Sequence, residues 1–379
     1  VTNVGAPPAI TPQSAGLTQP FGWSCDDFPC AEDIAGFMQR IQVPAGFVVE
    51  PMGRFPGQLL QITNGPDGRV YGTVLENGSR TGAVYALKPD GTTERYSSDL
   101  ISPLGLAFQP GTSVLYVSAR TSLTQGGALY RIPPGGGIAE PILTNLPCCY
   151  SPIENQPNGL TFGPDGYLYL GVGALTDQAE SPQPQTQAFA TLQPNEAAIL
   201  RIQPHTGEVT TYAEGIRNPY DLTFSPDGTL YTSDNGLLEG PGDRLLNVTP
   251  GGFYGWPFWL GRGCQRCPLP SANNREVLPD WFTFPDFTLP RGLTVYSGTQ
   301  FPANYFGNLF VTLWNNLPSA QRIVRLDPLD PRLAWDDFEP EAFMTGLIRP
   351  TDVIVALDGS LVVGDFVYGH VWRVRYVGV

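Results

Sequence analysis

Histidine is scarce in this 379-residue chain, which has only His205 and His370. A zinc centre built on the pair in "CQRC" (264–267) would need about four ligands, and too few histidines are left to complete it. Pro268 follows that motif where a covalently attached haem would need histidine. No apolar run reaches 18 residues, which excludes a membrane-crossing helix. Basic residues are also in deficit. There are 21 Lys and Arg against 35 Asp and Glu, a net charge of −14. Such a chain is unsuited to nucleic acid, whose binding depends on cationic side chains displacing phosphate counterions. Charged residues make up only 15% of the chain and hydrophobic ones 41%, the balance of a packed protein.

Glycine (44) and proline (39) are plentiful, which predicts many tight turns and an all-β fold. The chain begins at Val1 with no basic leader, so it reads as a mature secreted protein, extracellular or periplasmic. Six cysteines, at 25, 30, 148, 149, 264 and 267, suit disulfides in such a compartment. "CDDFPC" would close a short loop. Adjacent Cys148 and Cys149 are expected to find partners elsewhere, for instance at 264 or 267. "NGS" (77–79) and "NVT" (247–249) match the N-glycosylation pattern.

Two strand patterns recur. The first follows a turn, often Pro-Asp-Gly: "RVYGTV" (69–74), "VLYVSA" (114–119), "YLYLGV" (167–172), "TLYTSD" (229–234), "NLFVTL" (308–313) and "SLVVGD" (360–365). Asp-Gly supplies the positive φ that hairpin turns require. The second follows each of these, from "AVYALKPDG" (83–91) to "HVWRVRY" (370–376), and alternates apolar with polar residues. A third pattern precedes the turns: "QLLQIT" (58–63), "GLAFQP" (105–110), "GLTFGP" (159–164), "DLTFSP" (221–226), "GLTVYS" (292–297) and "DVIVAL" (352–357). Six such units predict a six-bladed β-propeller. "AGFVVEP" (45–51) is a spare strand that could close the ring beside "HVWRVRY". Residues 45–379 are read as the propeller, with insertions at 174–196 and 258–287. Residues 1–44 are read as an extended arm and a short helix over 31–41, the arm being a candidate for self-association.

The segments entering the inner strands would gather at one mouth of the central channel. Arg217, Arg291 and Arg349 all stand there. They could face a carboxylate-bearing ligand, since guanidinium matches carboxylate geometry. Alternatively, each could pair with a neighbour such as Asp221 or Asp352.

The stretches "NGLTFGPDGYLYLGVG", "RNPYDLTFSPDGTLYTSDNG", "GDRLLNVTPGGFYGWP", "YSGTQFPANYFGNLFVTL" and "RPTDVIVALDGSLVVGD" give the chain a resemblance to the soluble quinoprotein glucose/sorbosone dehydrogenases, including aldose sugar dehydrogenases. It runs in order over about residues 45 to 376. The resemblance implies a six-bladed propeller that holds pyrroloquinoline quinone (PQQ), a tricarboxylate, with calcium, and oxidises a sugar or alcohol hydroxyl. It places Arg217, Asn218, Arg349 and, with them, Arg291 and Asn155 at the quinone. It places Asn235, Gly236, Leu237, Asp243 and Tyr254 near calcium. The family's proton-abstracting histidine would fall at about Asn155 or Gln156, where this chain has amides; Glu154 is the nearest carboxylate that could replace it. His205 and His370 lie off that site and read as turn or surface residues. Trp314 and Asn315 occupy the stretch of the family's lysine, and Arg244 stands where a glutamate is usual. Three functions stay open: a dehydrogenase with an altered base, a propeller that lost its chemistry and serves as an extracellular binding or assembly module, and a metal-dependent hydrolase using Glu154, Asn158, Asn218 and Asp352.

Overall fold

The computed structural model describes residues 28–76, 79–149, 157–177, 192–238, 242–258, 275–317, 319–334 and 338–378. The expected arm (1–24), Glu154, Asn155 and the cysteines at 25, 264 and 267 lie outside them.

Six inner strands form the wall of the channel: Gly57–Asn64, Leu106–Phe108, Pro157–Phe162, Pro219–Phe224, Pro290–Val295 and Pro350–Val355. Each turns back through a hairpin into a second strand. Gly166 (φ 78°) and Gly228 (φ 88°) take the left-handed conformation at the ends of their Pro-Asp-Gly turns. The second strands, such as Leu168–Val172 and Leu361–Asp365, are buried throughout. A strand packed on both faces cannot alternate, hence their continuous apolar runs. Third strands are Thr81–Leu87, Gly127–Ile132, Ala198–Ile202, Arg244–Val248, Arg322–Leu326 and His370–Tyr376. Outer strands complete blades 1 to 5, and Phe282–Thr283 serves blade 4 from within the stretch read as the second insertion. Among the described residues, the chain thus forms the six-bladed propeller expected from its repeats.

The hydrophobic core is divided among the seams. One cluster joins blades 2 and 3 through Leu129, Leu160 and Leu170; another joins blades 4 and 5 through Leu245, Leu293 and Val311. The largest joins blades 5 and 6 and reaches the N-terminal segment through Phe28 and Phe37.

The ring closes with Phe47–Arg54, which pairs antiparallel with His370–Tyr376 from Phe47↔Tyr376 to Arg54↔His370. This is the closure proposed for "AGFVVEP". Phe47 anchors it edge-on against Phe301, Tyr305, Phe343 and Tyr376. Helix Ile34–Arg40 starts where Asp33 Oδ1 accepts the Gly36 amide at 2.9 Å, and it buries Phe37 against Trp372.

Two expectations are corrected. His370 is buried, not at the surface: its Nε2 lies 2.8 Å from the Ala31 carbonyl, and its ring packs on Phe37. Cys148 and Cys149 are bonded to each other rather than to distant partners, and Cys30 is also in a disulfide. His205 does lie exposed in its turn.

Candidate functional site

The segments entering the inner strands share one end of the channel, and polar side chains link them from blade to blade. Asn158 donates to Asn218 Oδ1 at 2.7 Å and to the Pro219 carbonyl at 3.0 Å. Asn218 donates to Asn235 Oδ1 at 3.4 Å, and Asn235 donates to the Pro290 carbonyl at 2.6 Å. These amides span blades 3, 4 and 5 and set the positions of the adjoining arginines.

Arg217 faces Asp177. Its Nε and Nη2 donate to Asp177 Oδ1 at 3.0 and 2.6 Å, and its Nη1 donates to the Asn235 carbonyl at 3.0 Å. The guanidinium is 1% exposed. A local ion pair was one of the two readings of these arginines, but the partner is neither Asp221 nor Asp352. Those carboxylates lie within the channel and hold neighbouring blades together. Asp221 Oδ2 accepts the Leu293 amide of blade 5 at 3.0 Å, and Asp352 Oδ2 accepts the Ile62 amide of blade 1 at 2.7 Å. Burial raises the Asp221 pKa to about 7; burial and then the Asp221 charge raise that of Asp352 well above the usual carboxylate value. The glycines beside them leave the necessary room. A Cβ at Gly159 would lie 2.6 Å from Asp221 Oδ1, and one at Gly292 would lie 2.2 Å from Asp352 Oδ1.

Arg291 and Arg349 are arranged differently. Both guanidiniums lie over the Trp314 ring, at 3.8 and 4.0 Å from its centroid. Arg291 also lies over Tyr220 and donates to its hydroxyl at 3.3 Å. Burial depresses the pKa of both arginines. That of Arg349 falls to about 10, with the Arg291 charge as the second cause. Two like charges therefore share one apolar platform. The Arg291 Nε and the Trp314 Nε1 are buried donors without hydrogen-bond partners, and Gln58, at the start of the blade 1 inner strand, likewise leaves its Nε2 donor and its Oε1 acceptor unmatched. Buried donors are rarely left unmatched. A planar anion would satisfy the donors and offset the repulsion, so these residues fit a polycarboxylate such as PQQ.

The residues expected at calcium are otherwise engaged. The Asn235 carbonyl accepts from Arg217. Asp243 Oδ1 accepts the Gly236 amide at 2.9 Å, and its Oδ2 accepts the Leu289 amide at 2.9 Å. Leu237 packs on Ala174, Ala197 and Trp256. The Tyr254 hydroxyl donates to the Asn247 carbonyl at 2.6 Å. Arg244 is fully buried nearby between Asp234 and Asp280, at 2.9 Å from each. Calcium needs six or more oxygen ligands. Here the Asn235 carbonyl and the Asp243 carboxylate are committed to guanidinium and amide hydrogens, and among the described residues no group of three or more His, Cys, Asp or Glu could hold a metal. The side-chain donors of this set do not fit the ion. Sequence reasoning missed Asp177 and Gln58. Asp177 lay in a stretch read as insertion, and nothing local marks a glutamine as buried.

The family model for glucose/sorbosone dehydrogenase matches residues 143–373. A curated protein of Borreliella burgdorferi without an assigned function is 28% identical over 202 residues; the chain spans about half the length of that relative (52%), and the match covers 48% of this chain. Among solved structures, a Thermus thermophilus protein assigned as an oxidoreductase (glucose dehydrogenase) superposes with a TM-score of 0.67 at 22% identity, covering 86% of this chain and 99% of that one. The PQQ-bound aldose sugar dehydrogenase of Streptomyces coelicolor gives 0.62 at 19%, over 88% and 99%. A calcium structure of a carbohydrate-active enzyme from Trichoderma reesei gives 0.65 at 13%, over 89% and 97%. Of these similar structures, the Streptomyces coelicolor protein is in its PQQ-bound form and the Trichoderma reesei one is a calcium structure. With more than half its length matched by the family model, this chain belongs to the glucose/sorbosone dehydrogenase family.

Proposed function

We propose that this chain is a secreted quinoprotein-type dehydrogenase that oxidises an aldose-type sugar or alcohol hydroxyl, with PQQ held at the channel mouth. The observation that carries this reading is the pair of buried guanidiniums of Arg291 and Arg349 on Trp314, with donors beside them that lack partners. When bound, the quinone would supply the two-electron acceptor for the substrate hydride. Arg291 and Arg349 would hold its carboxylates, and the Asn218 amide, fixed by Asn158 and Asn235, would border it. Glu154 is the proposed acceptor of the hydroxyl proton, with Asn155 beside it. Calcium is left out of the proposal, because its expected side-chain donors are committed elsewhere.

A specific observation favours a second reading, that of a propeller which binds without oxidising. The Arg217–Asp177 pair and the engaged Asn235 carbonyl occupy part of what the family uses for cofactor and metal. The test is titration with PQQ, with and without calcium, followed by dye reduction with aldoses. Uptake that is lost in Arg291→Gln, together with sugar-dependent dye reduction, supports the dehydrogenase. Uptake without reduction supports the binding module. No uptake under either condition removes the quinone reading.

A further inference from the structure

Two kinds of arginine meet at this mouth. Arg291 has a buried Nε with no acceptor. Arg217 has an acceptor for each of Nε, Nη1 and Nη2, all from within the chain. The Asp177 carboxylate sits on Arg217 as a ligand carboxylate would, with one oxygen taking two N–H groups. It is also anchored independently of Arg217. Its Oδ1 accepts the Leu238 amide at 3.1 Å, and its main-chain carbonyl accepts the Trp256 indole N–H at 2.9 Å. The surrounding charge adds to the effect. Among the described residues on this side, Asp177, Asp234, Asp243 and Asp280 stand against Arg217 and Arg244. A further carboxylate arriving there would meet an excess of negative charge, whereas one arriving at Arg291 would meet a guanidinium whose Nε has no acceptor.

We propose that Asp177 is a built-in counter-anion that takes the ligand's place on Arg217, so that an incoming polycarboxylate is read by Arg291 and Arg349 alone. Asp177 then determines affinity and orientation: it lowers the number of guanidiniums open to the ligand and turns the ligand's charged edge toward blades 5 and 6. This inference rests on the mouth being a polycarboxylate site, and the two can fail separately.

The experiment is equilibrium titration by tryptophan fluorescence and calorimetry at fixed ionic strength. The probes are PQQ and benzene-1,3,5-tricarboxylate. The proteins are the wild type and the variants Arg291→Gln, Arg217→Gln, Asp177→Asn and the Asp177→Asn/Arg217→Gln double variant, each checked by circular dichroism. Losing or gaining a charge-assisted contact is worth about tenfold in affinity or more. Arg291→Gln should weaken binding by about tenfold. Arg217→Gln should leave it unchanged. Asp177→Asn should strengthen it by about tenfold, and the double variant should return it to the wild-type value. If Arg217→Gln weakens binding as much as Arg291→Gln does, Arg217 leaves Asp177 to grip the ligand and the proposal is overturned. A folded Asp177→Asn that gains nothing also overturns it. If Asp177→Asn does not fold, the Arg217→Gln result decides. Indifference to Arg291→Gln instead overturns the underlying reading of the mouth.

Discussion

Raising the pH from 6.5 to 8.0 should destabilise the ligand-free protein, because two carboxyls in the channel hold their protons more tightly when folded than when unfolded. Asp221 titrates at about 7 in the fold against an ordinary value of 3.8. Between those values the native state binds more protons than the unfolded one, so stability falls as pH rises. For a group at about 7, moving from pH 6.5 to 8.0 removes roughly 1 kcal/mol. Asp352, raised by burial and then by the Asp221 charge, acts in the same direction. Asp243 and Asp365, at about 6, are already largely ionised. His370 is shifted down by burial and stays neutral, and carboxyls with lowered values, such as Asp67 and Asp165, titrate well below it. The assay is the urea midpoint at the two pH values with ionic strength held constant. Asp221→Asn keeps an acceptor for the Leu293 amide and removes the ionisation, so it should flatten the profile. A wild-type midpoint that holds or climbs between pH 6.5 and 8.0 would refute the reasoning, as would an Asp221→Asn protein with an unchanged slope.

Arg244→Met should cost about 3–5 kcal/mol in urea denaturation, because it leaves Asp234 and Asp280 buried without their shared cation. Phe47→Ala should cost about 3–5 kcal/mol, since Phe47 is the aromatic anchor of the closing strand; a loss below 1 kcal/mol would mean that the backbone ladder alone holds the ring.

The repeat was readable because the second and third strands carry the seam cores. Runs such as Leu168–Val172 must be apolar to pack on both faces, and their turns need Asp-Gly. The outer strands were harder to see. Glu140–Leu146 is largely exposed, and two-residue Phe282–Thr283 is shorter than any periodicity can reveal. At the mouth, Arg217, Arg291 and Arg349 were found because each stands at or just before the start of an inner strand. Which of them meets a carboxylate from its own chain depends on where Asp177 lies in space, and sequence spacing carries no trace of that. The burial of His370 was hidden for a similar reason, since its partner carbonyl at Ala31 is 339 residues away.

Closing the ring with a strand from near the start of the chain also affects how the protein is made. The residues at 47–54 wait, with one sheet edge unmatched, until 370–376 have left the ribosome. Until then the chain is an open fan with two bare edges, each able to pair with another strand. Folding to the finished ring therefore waits for that strand, and a chain cut short before His370 has no way to shut.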